Sequence, residues 1–575
     1  LNGNRTEIMY DRVGQTRLTR VWALPTLNDE DSTLMYLVNE SLVGNKNSPL
    51  RKALIDDLKL ATAVRGSAYS RVLSGEYSLT INVSPGVNPQ EVIAAVDRVL
   101  QEYLEAGPDK DILENAKLAI NMSMISSLES KATIGRFLAE GQLYSGNPTY
   151  VKQEIEWLNG ASAESVLATA KRWLTRGYFE LTTLPFPELK STEQDVDRSE
   201  IPAVSEVSRI NFPDIKTATL SNGIELVVAN SGSLPLVDVA IRIGTGNTAD
   251  DSNLQGISDA AFILMDKGTK KYSANELAAE KDSIAMDTRL SAGVEQSSLN
   301  YQILSNYLDD SLDLAAEILR NPAYPGEELD KFRQQVFAYL SNIEQNPASN
   351  ARAMFNRAVF GHDHVLGGIW TAALVENLSQ TSLQAFHARE VAPDNIKIFM
   401  IGDIDLKTAR DSVEASFGSW KDKNDSTLGP VGRAMAPMPK VILVNQPQAV
   451  QSTIIAGHAI APFDATSNTE LTVLNAIFGG AFEARINMNL REDKGWSYGM
   501  YSGVQSNRSG DQTLTVSGSV QTDKTMESMQ EIKREFDEFL STNPARDDEL
   551  QRVKLNRTRS QPGRFATKRG FLQSM

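Results

Sequence analysis

Hydrophobic and polar positions recur along the chain with two different periods, and the switches between them mark the elements. GEYSLTINV at 75–83 alternates apolar and polar positions, as a strand buried on one face does. VDVAIRIGTG at 237–246 reads as a strand, and NIKIFMIGDI at 395–404 as a buried one. By contrast, LDDSLDLAAEILRN at 308–321 and GEELDKFRQQVFAYLSNIEQN at 326–346 repeat apolar residues at the spacing of one helix face. ISDAAFILMDKG at 257–268 reads as a helix ended by Gly268. TATLSNGIELVVAN sets Asn222-Gly223 between two alternating runs, the signal of a type I′ hairpin turn. Strands and helices grouped this way predict α+β domains, two-layered, with helices on one face of a mainly antiparallel sheet.

The pattern also repeats at long range. GEYSLTINV is echoed by GDQTLTVSG at 510–518, each opening with Gly and an acid before running on as strand text. Leu104 and Leu540, Leu54 and Leu490, and Leu18 and Ile454 are each 436 positions apart, and Lys117 and Lys554 are 437 apart. Anchors this consistent define a duplicated module, one copy at 12–190 and the second at 439–575, with a different module at 215–437 between them. The counterpart of the middle module is then expected before residue 1, and the tail of the second copy beyond Met575. Residues 185–213 are rich in Pro, Ser and charge without apolar periodicity, the text of a linker. The expected division is therefore 1–184, linker 185–213, 214–437 and 438–575.

Composition narrows the chemistry. A chain of 575 residues is too long for one hydrophobic core. The absence of cysteine excludes disulfides, thiolate metal sites and cysteine nucleophiles. It also leans toward an oxidising compartment, periplasmic in preference to cytoplasmic, where a free thiol is a liability. A net charge of −16 argues against a nucleic-acid groove, which needs concentrated positive charge. No segment has the apolar length of a membrane span.

Five segments carry a resemblance: TLSNGIELVV at 219–228, GISDAAFILMDKGT at 256–269, FGHDHVLGG at 360–368, the stretch from AFHAREVAPDNIKIFMIGDID to FGSW ending at Trp420, and ARINMNLREDKGWSYG at 484–499. The chain resembles, over nearly its whole length, the insulinase/pitrilysin family of zinc metallopeptidases, which includes bacterial enzymes, the mitochondrial processing peptidase and its non-catalytic relatives. The resemblance implies repeated α+β domains arranged as two half-shells around a chamber. Family enzymes carry an inverted motif, His-x-x-Glu-His, whose two His ligate zinc while the Glu acts as general base. Asp259, Phe262 and Ile263 stand at the corresponding positions and cannot make that site; Phe262 and Ile263 read as core. The Zn²⁺ of the complete protein is therefore expected from ligands outside this chain, on an N-terminal zinc-bearing module or subunit. His362-Asp363-His364 lies in a Gly-flanked loop and reads as a structural turn, and His387 and His458 are lone residues given no role.

Arg491 and Tyr498, seven residues apart, match the pair that the resemblance places opposite the zinc helix, across the chamber. Water attack on a peptide carbonyl builds an oxyanion, which a guanidinium or phenol donor stabilises. Gly495 is expected to end the Arg-bearing helix, so that Tyr498 starts a strand toward the same pocket. The plainer alternatives are an ion pair of Arg491 with Glu492 or Asp493, and a packed core aromatic at Tyr498. The first copy holds Ile55 and Thr62 at the equivalent places, so one copy has the pair and the other lacks it. The resemblance implies a zinc metalloendopeptidase acting on peptides or unfolded segments, of which this chain is the oxyanion-stabilising half, inactive unaided. The alternative is a non-catalytic peptide-binding or scaffold protein of the same fold.

Overall fold

A computed structural model describes residues 3–11, 15–185, 214–424, 432 and 434–572, apart from 232–233, 252, 369, 436–439, 447–448, 507–509 and 566. The expected linker thus lies, from 186 onward, outside the described residues. Among the described residues no helix is long and apolar enough to cross a membrane.

The first sheet is built from β1 (Arg5–Asp11), β2 (Arg17–Leu24), β3 (Ala61–Ser70), β4 (Gly75–Val83) and β5 (Tyr178–Pro185), in the order β1-β5-β2-β4-β3. Only β1 and β5 pair in parallel. The alternation of β4 turns Tyr77, Leu79, Ile81 and Val83 to the buried face. Against that core lies helix Pro89–Ala106, which starts on an Asn88 side chain accepting from the Gln90 N–H and stops before Gly107, at φ +82°. It buries Val92, Val96, Val99 and Tyr103 on one face, at helical spacing.

The second sheet contains β6 (Ile215–Thr219), β7 (Glu225–Asn230), β8 (Leu236–Ile243), β9 (Arg289–Ser291), β10 (Ser297–Leu304) and β11 (Ile396–Gly402), ordered β6-β7-β11-β8-β10-β9. Strand β11 is inserted between β7, parallel to it, and β8, antiparallel, which explains its nearly continuous apolar text. The expected type I′ turn is not what forms between β6 and β7. Gly223 has φ +96° but Asn222 does not have a positive φ, Gly223 N–H donates to Leu220 O at 3.1 Å, and Leu220 N–H donates to Ile224 O at 2.9 Å. This is a type I turn closed by a left-handed glycine. The Asn222 amide instead ties the turn to the rest of the domain by donating to Phe417 O and Trp420 O. The opposite face of this sheet is also covered locally, where Phe571 and Leu572 of the helix Lys568–Leu572 pack on Ala229, Ala240 and Ile401.

The third sheet, of β12 (Gln451–Ile460), β13 (Ser497–Gln505) and β14 (Gln512–Gln521), is antiparallel in the order β12-β14-β13. It repeats β2-β4-β3 in order and direction. The offset of 436 reappears at fine scale: the short helix Pro49–Arg51 runs into a π-helical turn at Lys52–Asp57, and Arg485–Asn487 runs into one at Met488–Asp493. Leu54 and Leu490, in those turns, are fully buried. Strands β3 and β13 even share a register shift at matching places, between Ala61 and Ala63 and between Ser497 and Gly499.

Candidate functional site

The π-helical turn at Met488–Asp493 is wider than an α-helical one, and it ends sharply. Gly495, at φ +66°, closes it by donating from its N–H to Arg491 O at 3.1 Å, and Trp496 N–H returns to Leu490 O at 2.9 Å. The chain reverses there and β13 begins at Ser497, which lays Tyr498 alongside Arg491. Arg491 Nη1 donates to Tyr498 O at 3.0 Å. The guanidinium carbon lies 4.8 Å from the centroid of the Tyr498 ring and 4.7 Å from that of Phe482. Arg491 Nε does pair with Glu492, at 3.0 Å, but Tyr498 is 84% exposed and is no core aromatic. Among the described residues neither Arg491 Nη2 nor the Tyr498 hydroxyl has a hydrogen-bond partner; Tyr498 stands in solvent, and the Arg491 side chain is 25% exposed.

Behind the pair stands a fully buried amide. Asn487 Nδ2 donates to Phe482 O at 2.7 Å and its Oδ1 accepts from Met500 N–H at 3.1 Å. Sequence reasoning missed Phe482 and Asn487. The repeat could have pointed to them, since the same places in the first copy hold Lys46 and Arg51. There, too, the equivalents of Arg491 and Tyr498 serve the fold: Ile55 packs on the core, and Thr62 Oγ1 donates to Gln15 and to Asn82 O.

The degenerate zinc motif lies on helix Ile257–Leu264. Phe262 is fully buried, as expected, but Ile263 is 41% exposed and is not core. Helical geometry gives the reason: residues 259 and 263 are one turn apart on the outward face, where a ligand pair would also stand. Asp259 accepts from Asn247 Nδ2 at 3.1 Å, and burial raises its pKa despite that bond. Nearby, Asp250 accepts from the N–H groups of Gly256 and Ser258 at the helix start, and burial pushes it up to about 7. Both carboxyls line a cleft of about 340 Å³ together with His364 and Trp370. One carboxylate, a phenyl ring and an aliphatic chain do not fit zinc, and among the described residues no trio of His, Asp and Glu is disposed to hold a metal ion.

The histidines behave as structure. His364 stacks on Phe360 at 4.7 Å and accepts the Leu366 N–H at Nδ1, and His362 meets Asp363 at 2.8 Å. Burial lowers the pKa of His387, whose neutral ring donates from Nε2 to Leu319 O at 2.8 Å. His458 is exposed on β12.

The family described as "Peptidase M16 inactive domain" matches residues 1–120 and 377–556, and that described as "Insulinase (Peptidase family M16)" matches 226–370. The chain belongs to the insulinase (peptidase M16) family. Among M16 relatives, the uncharacterized zinc protease YmxG of Bacillus subtilis is 26% identical over 290 residues, half of this chain and 69% of its own. An uncharacterized zinc protease of Mycobacterium bovis is 24% identical over 294 residues, again half of this chain and 66% of its own. A solved M16 inactive domain from Pseudomonas fluorescens superposes with a TM-score of 0.56 at 19% identity, over 61% of this chain and 86% of that one. The ferredoxin protease FusC, solved with Arabidopsis ferredoxin, superposes with a TM-score of 0.55 at 13% identity, over 99% of this chain and 67% of that one. These likenesses establish the M16 fold, and the zinc-protease relatives place the chain in a peptidase family.

Proposed function

We propose that this chain supplies the substrate-facing, oxyanion-stabilising half of a zinc-dependent metalloendopeptidase that degrades peptides or unfolded segments. Its zinc ligands belong to an N-terminal module or subunit outside the chain. The observation that carries this reading is the asymmetry between the two copies of the repeat. The second copy sets a part-exposed Arg491, without a described partner at Nη2, beside the solvent-exposed Tyr498, while the first has only Ile55 and Thr62 there, both committed to the fold. As water attacks a peptide carbonyl, the π electron pair moves onto oxygen, and a guanidinium N–H and a phenol O–H are suited to donate to that charge. Because the charge exists only near the transition state, these donors raise kcat without tightening the ground state. Support comes also from relatives named zinc proteases and from a protease of this fold solved with a protein bound. The absence of cysteine favours a periplasmic setting.

The test is zinc content and cleavage of a quenched peptide by the full-length polypeptide, beside Arg491→Ala. Stoichiometric zinc is expected, with kcat in the variant lower by about 10²–10³ and KM nearly unchanged. Absent zinc, with background hydrolysis identical in both proteins, would leave a non-catalytic peptide-binding or scaffold protein as the reading.

A further inference from the structure

We infer that Phe482 is a positioning residue for Arg491, its ring holding the guanidinium over Tyr498 so that Nη2 stays presented, and that Asn487 fixes Phe482 in turn. The functional meaning of this rests on the oxyanion reading above; the structural part rests on geometry alone.

Phe482 is 46% exposed and does not belong to the core beneath the third sheet, which is built from Phe478, Ile486, Leu490, Met500 and their neighbours. A phenyl ring left half in water contributes little to folding at that place. Its ring contact is the guanidinium, 4.7 Å from the centroid, with the Tyr498 ring 4.8 Å from the same carbon. A part-exposed arginine still samples several rotamers, and contact with two rings narrows that choice while leaving the edge of the guanidinium able to donate. The Nη1 bond to Tyr498 O and the Nε contact with Glu492 fix the rotation of the plane, and Nη2 is left uncommitted.

The spacing between the rings is set by the buried Asn487. One end of its amide holds Phe482 O at 2.7 Å, and the other holds Met500 N–H at 3.1 Å, two residues beyond Tyr498. A single side chain thus links the loop bearing one ring to the strand bearing the other. In the first copy, Lys46 replaces Phe482 and reaches Glu328 at 3.1 Å, and Arg51 replaces Asn487. The copy without an arginine at the key place therefore also lacks the ring and the amide that would hold one.

The test uses the full-length polypeptide with Phe482→Ala, Phe482→Leu and Phe482→Tyr. The rate at which phenylglyoxal modifies Arg491, followed by mass spectrometry, is expected to rise about threefold or more in the Ala and Leu variants and to stay at the wild-type rate with Tyr. Leucine keeps the apolar bulk without the π face, so it separates stacking from packing. On a quenched peptide, Ala and Leu are expected to lower kcat about tenfold with KM within about twofold, Tyr restoring it. An Arg491 labelling rate unchanged in Phe482→Ala would overturn the inference. So would unchanged turnover in Phe482→Ala where Arg491→Ala abolishes activity. If Arg491→Ala itself leaves turnover intact, the oxyanion reading fails, while labelling still decides whether Phe482 holds the guanidinium.

Discussion

At the scale of single residues, charge is handled in two opposite ways. Arg491 keeps its guanidinium part-exposed against two rings, whereas Asp266 is 8% exposed and held by three donors. Lys267 and Lys281 approach its two oxygens at 2.7 and 2.8 Å, and Thr288 Oγ1 donates at 2.9 Å. Burial alone would raise the Asp266 pKa, but the two ammonium groups outweigh it and hold the carboxyl at about 2. The folded value is depressed, so the unfolded chain binds the proton more readily. The contribution to stability is thus present above the ordinary aspartate range and lost as pH falls through about 2. Asp266→Asn leaves the Lys281 ammonium, 14% exposed, without its carboxylate and should cost about 3 kcal/mol at neutral pH. Urea unfolding at pH 7 and at pH 3 checks this, since the gap between wild type and variant should narrow at the lower pH. A gap independent of pH would mean that the loss is one of packing.

At the scale of elements, periodicity reveals what a segment is and conceals how it is bent. The alternation of β4, the helix at 308–320 and the 436-residue offset are legible because each depends only on which residues are apolar and how often. The π-helical turns are not legible, because one extra residue per turn leaves no mark in composition. The turn at Asn222 departs from the expected type I′ where its amide is recruited by Phe417 and Trp420, a tertiary demand invisible locally. Arg491 and Tyr498 are legible only through the resemblance, whose pair they match in type and spacing, whereas the Asn487 link behind them joins residues 13 apart and has no motif. The paired π turns permit a controlled comparison. Leu54 and Leu490 are both fully buried at equivalent places, so Leu54→Ala and Leu490→Ala should each destabilise their module by about 2–5 kcal/mol. Only Leu490→Ala removes support from beneath Arg491, and it alone should lower peptide turnover at temperatures where both variants remain folded. Calorimetry beside steady-state kinetics separates the two effects, and equal loss of turnover would deny the second π turn its special role.

At the scale of the whole molecule, the three sheets have separate cores, and charged contacts join the first to the second. Lys331 reaches Asp56 of the first unit and Glu328 on its own helix, and Lys46 of the first unit also meets Glu328, at 3.1 Å. Burial pulls the Lys331 pKa down, but the two carboxylates outweigh that and leave it raised. The side chains of Lys331, Asp56 and Glu328 are 21%, 14% and 13% exposed, dry enough for the cluster to couple the units beyond what a surface pair would. Lys331→Met should therefore cost about 2 kcal/mol, chiefly by leaving Asp56 without its nearest cation. Asp56→Asn in the same chain removes that stranded charge, so the double variant should be more stable than the sum of the two single losses predicts. Urea unfolding followed by the fluorescence of variants that keep only Trp22 in the first unit or only Trp420 in the second, the other tryptophans replaced by Phe, would read the coupling. Midpoints that coincide in the wild type should separate in Lys331→Met and draw together again in the double variant, whereas strictly additive losses with unmoved midpoints would show that the Lys331–Asp56 pair does not couple the units.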